Sequence, residues 1–390
     1  MVGQAVDPSR RVDSIDILRG LALFGVLIVN LVTEFRVSIF AQFLPGPAYP
    51  DPLDRALVRF VQDGLELKAF ALFSFLFGLG LAMQFERLSG TGKPLYWLAR
   101  RLLALLAFGL LHLLLIWNGD ILTEYAVAGL LALPLLKASR TVLAAAAIAL
   151  FGLYLAMPTL APVAWPDAAW IDMHIVAADR IYASGSWLEV IRFSLEEVPS
   201  LLPLHLAIFP RTLGLFVLGM LAWRSSLFAR PADHKATIAC LGSMLGIAGL
   251  AATFAGGLGW LRSMTPVCLA LAFAAAVVCA VEFTRASGPL HRFAAIGRMA
   301  FTNYIAQSMI FGLVFFGYGL GLFGKLRPAP VFAMGVAVYA AQVQLSRYWL
   351  RNFRFGPIEW LWRTMMYGTR QPMRRRDARL ALASATARED

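Results

Sequence analysis

Apolar residues run through this chain in long unbroken stretches; they neither keep to one helical face nor alternate in pairs, and short polar, Pro-rich or cationic segments separate them. Each stretch holds about 20 residues, which at about 1.5 Å per residue carries a helix across about 30 Å of hydrocarbon. The pattern predicts spans near residues 15–33, 68–86, 98–117, 121–137, 140–158, 203–223, 236–256, 265–283, 295–318 and 329–349. The expected fold class is therefore all-α, a polytopic integral membrane helical bundle of about ten transmembrane helices.

Two longer intervals, 34–66 and 159–202, carry Pro and aromatic residues such as Pro45, Pro47, Pro50, Pro52, Trp165, Pro166, Trp170 and Trp187, a composition suited to the membrane interface. In the second, Trp187, Val190, Ile191, Ser194 and Leu195 follow a helical spacing, which predicts an amphipathic interfacial helix over 181–198. No linker or composition shift divides the chain. A single transmembrane domain over 1–368 is expected, with a basic, then Ala-rich, mobile cytoplasmic tail over 369–390.

Charge sets the orientation. With the N-terminus in the cytoplasm and an even number of spans, 25 of the 35 Lys and Arg residues fall on the inner side, among them Arg10, Arg11, Arg87, Arg285 and the tail residues Arg374, Arg375 and Arg376. Both termini are therefore expected in the cytoplasm. The 59% hydrophobic and 15% charged composition excludes an ordinary soluble domain. The net charge of +12 sits on those loops and the tail, so anionic lipid, not nucleic acid, is the expected counter-charge. The first apolar stretch is long enough to span and no clear cleavage site follows it, so it reads as a retained helix. Cys240, Cys268 and Cys279 lie inside predicted spans without a CxxC or Cys/His cluster, which predicts free thiols and no metal site.

Polar residues inside hydrocarbon carry the chemical information, because each costs about 2.5–3.5 kcal/mol on insertion scales when charged. The first span holds Arg19 and, eleven residues on, Asn30; eleven steps of about 100° return them to one stripe. Asn30 reads equally as interhelical packing or as part of a ligand path. The third span repeats the spacing with Arg101 and His112. His112 is the leading catalytic candidate, since an imidazole takes and returns a proton near neutral pH. Asp120, in the break Trp117-Asn118-Gly119-Asp120, suits an N-cap and equally suits orienting His112. Arg211, one residue after Pro210 in the sixth span, is a candidate to neutralise a phosphate or carboxylate. Arg298, Asn303 and Gln307 open the ninth span, the last two on one face, where a binding role stands against an interhelical hydrogen-bond ladder. Walker, nucleophile-elbow and paired-His metal motifs are absent from the sequence.

Ordered motifs then point to a family. Asp16-Ile17-Leu18-Arg19-Gly20 with Asn30, Lys68 through Phe73-Ser74-Phe75-Leu76-Phe77-Gly78, Arg100-Arg101 with Gly109 and His112, Gly119-Asp120-Ile121-Leu122 with Tyr125, Thr302-Asn303-Tyr304 with Gln307-Ser308, and Gly356-Pro357-Ile358-Glu359-Trp360-Leu361-Trp362-Arg363 span residues 12–368. This series resembles the YeiB-like proteins, domain of unknown function 418. Through them it resembles the wider transmembrane acyltransferases, including the heparan-alpha-glucosaminide N-acetyltransferase type.

The resemblance implies a multi-pass protein of a bacterial inner membrane that moves an acyl group, such as acetyl, from cytoplasmic acyl-CoA to a small-molecule hydroxyl or amine acceptor. Arg19, Arg100, Arg101 and Arg298 would meet the phosphates. His112, oriented by Asp120, would act as base, and Asn30 or Asn303 would bind the oxyanion. Sugar-modifying relatives carry a His where this chain has Asn30, which leaves the base role to His112. The rival reading is a transporter or exporter of a small anionic metabolite using the same arginines and Arg211. Homodimerisation, common among membrane proteins, is left open.

Overall fold

The computed structural model describes residues 12–44, 49–160, 166–254, 259–284 and 287–375. Arg10, Arg11, Pro45, Pro47, Trp165, Arg285, Arg376 and the tail beyond residue 375 lie outside the described residues. Among the described residues the chain forms helices and no named strand. That outcome follows from the solvent: hydrocarbon offers no partner to a peptide group, so each segment must bond to itself.

In chain order the helices are α1 (Asp13–Asn30), α2 (Pro52–Arg59), α3 (Lys68–Leu88), α4 (Pro94–Leu115), α5 (Leu122–Ala132), α6 (Arg140–Leu160), α7 (Ala168–Ser184), α8 (Trp187–Arg224), α9 (Lys235–Phe254), α10 (Gly259–Phe283), α11 (Ser287–Leu290), α12 (Arg292–Arg298), α13 (Ala300–Phe315), α14 (Pro328–Asn352) and α15 (Pro357–Tyr367). Among the described residues, 8 are long and apolar enough to cross a membrane, in runs that include π or 3-10 turns at some ends. The spans expected near 121–137 and 295–318 correspond to shorter helices, α5 with a 3-10 turn over Leu133–Lys137 and α13.

The intervals read as outer loops are largely helical. In the first, a π turn at Leu31–Phe35 prolongs α1, and a second at Phe60–Leu65 prolongs α2. In the second, the expected amphipathic helix over 181–198 is a boundary error. The Gly185 N–H closes α7 on the Ile181 carbonyl at 2.8 Å, and Ser186 and Glu189 then form a reciprocal capping box that starts α8. α8 continues for 38 residues through Pro199, Pro203 and Pro210 into the sixth predicted span. Each proline removes one donor and bends the helix without ending it.

α1 is the buried axis, touching α3, α10, α12, α13 and α14. α3 and α8 cross backbone to backbone: a Cβ on Gly78 would overlap Phe216 and one on Gly219 the Phe75 carbonyl. α6 and α9 are peripheral and present Ile148, Met244 and Ile247 outward, as lipid-facing helices should. At the opposite edge, α15 caps the end of the bundle where α1 begins and α3 finishes. The segment just after it is held there: Arg354 N–H donates to the Met373 carbonyl at 3.0 Å and Trp360 Nε1 to that of Gln371 at 2.7 Å. The first residues of the expected tail thus belong to the folded body.

Candidate active site

A cavity of about 660 Å³ lies among α1, α3, α4, α5, α12, α13 and α15. Its wall follows α1 from Val12 to Val26, about 21 Å at 1.5 Å per residue. The mouth is cationic. Arg19, Arg101 and Arg298, expected from sequence, are joined there by Arg87, Arg354 and Arg363, against the carboxylates of Asp16 and Glu359. Deeper, the wall becomes Leu23, Val26, Phe73, Leu76, Phe77 and Leu105, ending at Leu122, Tyr125 and Tyr304.

The mouth is internally braced. Arg19 pairs with Asp16 at 3.2 Å. Arg101 donates to Gln84 Oε1 at 2.6 Å and lies 3.8 Å over the Trp362 ring, while the Trp362 indole N–H returns a bond to the Arg101 carbonyl at 2.8 Å. Glu359 accepts from the N–H groups of Phe301 and Thr302 at 2.9 and 3.0 Å and from the Thr302 hydroxyl at 2.5 Å, capping the start of α13. Burial pushes the Glu359 carboxyl above the ordinary range, with those hydrogen bonds opposing. Arg100 turns away: it donates to the Met365 carbonyl at 3.0 Å and lies over Trp97, outside the cavity wall.

Behind the inner end stands the expected base. His112 is 1% exposed, and its Nδ1 lies 2.9 Å from Asp120 Oδ1. Asp120 also accepts from the Leu122 and Thr123 N–H groups at 3.2 and 2.7 Å, so it caps α5 and orients the imidazole at once. With the Nδ1 proton directed at the carboxylate, the basic nitrogen is Nε2, which is buried without a hydrogen-bond partner among the described residues. His112 is not itself in the cavity wall. The Tyr304 ring, 5.3 Å away between centroids, stands between it and the cavity, tied to the Gly119 carbonyl at 3.3 Å.

Other expected site residues are not brought here. Asn303 Nδ2 donates to the Met299 carbonyl and Ser346, and Gln307 bonds Gln342 at 2.7 Å, so both belong to the α13–α14 ladder and neither offers an oxyanion donor. Asn30 is buried in the last turn of α1 with its Oδ1 unpartnered among the described residues. Arg211 lies apart on α8, 3% exposed, with its guanidinium 5.7 Å from the Tyr154 ring of α6. Such a contact is worth about 0.5–2 kcal/mol, less than the about 2.5–3.5 kcal/mol an unpaired Arg costs at mid-membrane.

Sequence reasoning missed a second buried carboxylate. Glu197 of α8 accepts from Asn118 Nδ2 at 2.7 Å and the Tyr182 hydroxyl at 2.5 Å, and its other oxygen lies 2.8 Å from His174 Nε2. The tandem Glu196-Glu197 beside Pro199 was the available signal. Through Asn118 this network grips the turn that carries Asp120. Among the described residues no three His, Cys, Asp or Glu side chains converge as a metal site requires.

Over 397 residues the chain is 33% identical to "Uncharacterized protein YxaH" of Bacillus subtilis (strain 168), covering 94% of this chain and 96% of that protein. It is 28% identical over 384 residues to "Uncharacterized protein YeiB" of Escherichia coli (strain K12), covering 90% and 95%. The chain belongs to the YeiB-like DUF418 family. The family model, described as "Protein of unknown function (DUF418)", matches residues 222–369, which reach from the end of α8 to just past α15. A further relative, "Uncharacterized 39.9 kDa protein in amylase 3'region" of Bacillus acidopullulyticus, is 28% identical over 375 residues, 93% of this chain and 96% of that one. Among these DUF418 proteins, then, similarity extends over the whole bundle, and the cavity is built from both the matched segment and the helices before it.

Proposed function

We propose that this DUF418 protein transfers an acyl group from acyl-CoA to a hydroxyl or amine acceptor, with the cationic mouth facing the cytoplasm of a bacterium. One observation carries the reading: a cavity lined by six arginines and by an apolar stretch reaches Tyr304, whose ring lies 5.3 Å from the imidazole of the His112–Asp120 pair. Acyl-CoA has the same layout, polyphosphate at one end and a thin arm ending in a thioester at the other. The arginines neutralise the phosphates, and the passage excludes water from the thioester.

Rotation of the Tyr304 side chain joins the passage to Nε2 of His112. The imidazole takes the proton of the acceptor as its oxygen or nitrogen attacks the thioester carbonyl. The tetrahedral intermediate collapses with cleavage of the C–S bond, and the imidazolium returns the proton to the leaving thiolate, giving acylated acceptor and CoA. Asp120 holds the imidazole and steadies its positive charge.

The test is binding and turnover of radiolabelled acetyl-CoA by purified protein in lipid nanodiscs, wild type against His112→Ala. Saturable binding with thioester cleavage that is lost in the variant is expected. Binding without cleavage in the presence of candidate acceptors, together with movement of the bound anion across the bilayer, would replace this reading with export of an anionic metabolite.

A further inference from the structure

Arg211 has no place in the reaction above, yet its position demands a ligand. Arg211 is almost fully buried, and neither its Nε nor its Nη1 meets a hydrogen-bond partner among the described residues. It lies 13 residues, about 20 Å at 1.5 Å per residue, from Arg224, whose guanidinium marks the far end of α8 by donating to the Leu136 and Ala138 carbonyls. That distance sets Arg211 well inside the hydrocarbon. The carboxylate that enters this helix contact, Glu124, is engaged elsewhere: Thr212 donates to one oxygen at 2.8 Å and His205 Nδ1 lies 3.0 Å from the other. An ionised group so deep is normally paired, because desolvation without a counter-charge is costly.

We propose that Arg211 is the centre of a second anion site, separate from the cationic cavity, which takes a single phosphate or carboxylate group. One guanidinium beside the Tyr154 ring balances one negative charge, whereas the cavity mouth is built for several. The way in is at the opposite end of the bundle from that mouth. His205, six residues nearer that end on α8, has a side chain 41% exposed and marks the opening. The anion is either the headgroup phosphate of a membrane lipid or a free oxyanion arriving from water. The site stands independently of acyl transfer.

The experiment uses full-length protein stripped of phospholipid in a maltoside detergent, with thermal unfolding as the readout. Wild type, Arg211→Met and Arg211→Gln are each titrated with phosphatidylglycerol, inorganic phosphate or acetate. Wild type is expected to gain several degrees, saturably, with at least one probe, beyond any gain the variants share through the cavity. The anion-free variants should be at least as stable as wild type, because an unpaired buried charge has been removed. A response confined to phosphatidylglycerol identifies a lipid, and a response to phosphate or acetate identifies a soluble anion. Identical responses in all three proteins, or collapse of both anion-free variants, would overturn the site. Because acetyl-CoA is absent, that result leaves the acyl-transfer reading untouched.

Discussion

Asp120 holds two jobs in one carboxylate, and substitution separates them. Asp120→Asn retains one oxygen for the short Thr123 N–H bond but puts a donor where the other carboxylate oxygen met the Leu122 N–H and His112 Nδ1, and loses the charge that fixes the His112 tautomer. We predict a fall of about 10²- to 10⁴-fold in thioester turnover with little change in unfolding temperature. Asp120→Ala should add about 1 kcal/mol of lost cap stability. An Asn variant with wild-type turnover would remove His112 from the mechanism. Glu359 makes a second prediction, because burial raises its carboxyl, so that it protonates earlier than an ordinary carboxylate as pH falls and removes a negative charge from the mouth. CoA affinity should therefore rise as pH falls, and Glu359→Gln, measured by isothermal titration across pH, should flatten that slope. The His112–Asp120 pair was legible in sequence because only eight residues, the last turn of α4 and the break after it, separate them. The ladder roles of Asn303 and Gln307 were not, since Ser346 and Gln342 lie some forty residues away and only packing decides which face meets them. Arg354 and Arg363 were hidden for the same reason.

At the scale of elements, the predicted spans mostly correspond to helices because an apolar run of membrane length has few alternatives in hydrocarbon. What sequence misjudged were the junctions. Pro and Trp in the 159–202 interval suit an interfacial loop, yet the capping box at Ser186 turns its last third into the first turns of α8. This extension is what places Glu197 against Asn118. Glu197→Ala leaves the Tyr182 hydroxyl and one N–H of the Asn118 amide, whose nitrogen keeps its bond to the Ser194 carbonyl, buried without acceptors, a loss of about 1–3 kcal/mol for each such group. We predict faster amide hydrogen exchange across residues 117–121 in that variant and near-normal exchange in Glu197→Gln, which still accepts. Equal protection in both would show that the turn is held by other contacts.

The whole molecule has one cationic end and one end built of helices α2, α7 and the start of α8. The proposed reaction requires the cationic end to face the cytoplasm, the orientation that loop charge predicts. After replacement of Cys240, Cys268 and Cys279 by Ser, a membrane-impermeant thiol reagent should label Leu53→Cys in intact cells, since Leu53 is 58% exposed on α2. Thr91→Cys, at the cavity mouth, should label only in inverted vesicles. The opposite pattern would put the arginines outside and end any role for cytoplasmic CoA. The cavity as a whole was beyond sequence reading, because its wall draws on seven helices separated by up to about 350 residues.

The rim of the chamber has a consequence for how the protein is made. α15 supplies Glu359, Trp362, Arg363 and Tyr367 to the wall, and of all the helices described it leaves the ribosome last. Until it docks, a nascent chain has inserted its spans but lacks Arg363 at the mouth and has no closed vestibule. Synthesis order therefore acts as a safety catch: a truncated product stalled before residue 357 carries the membrane anchors without a finished binding chamber.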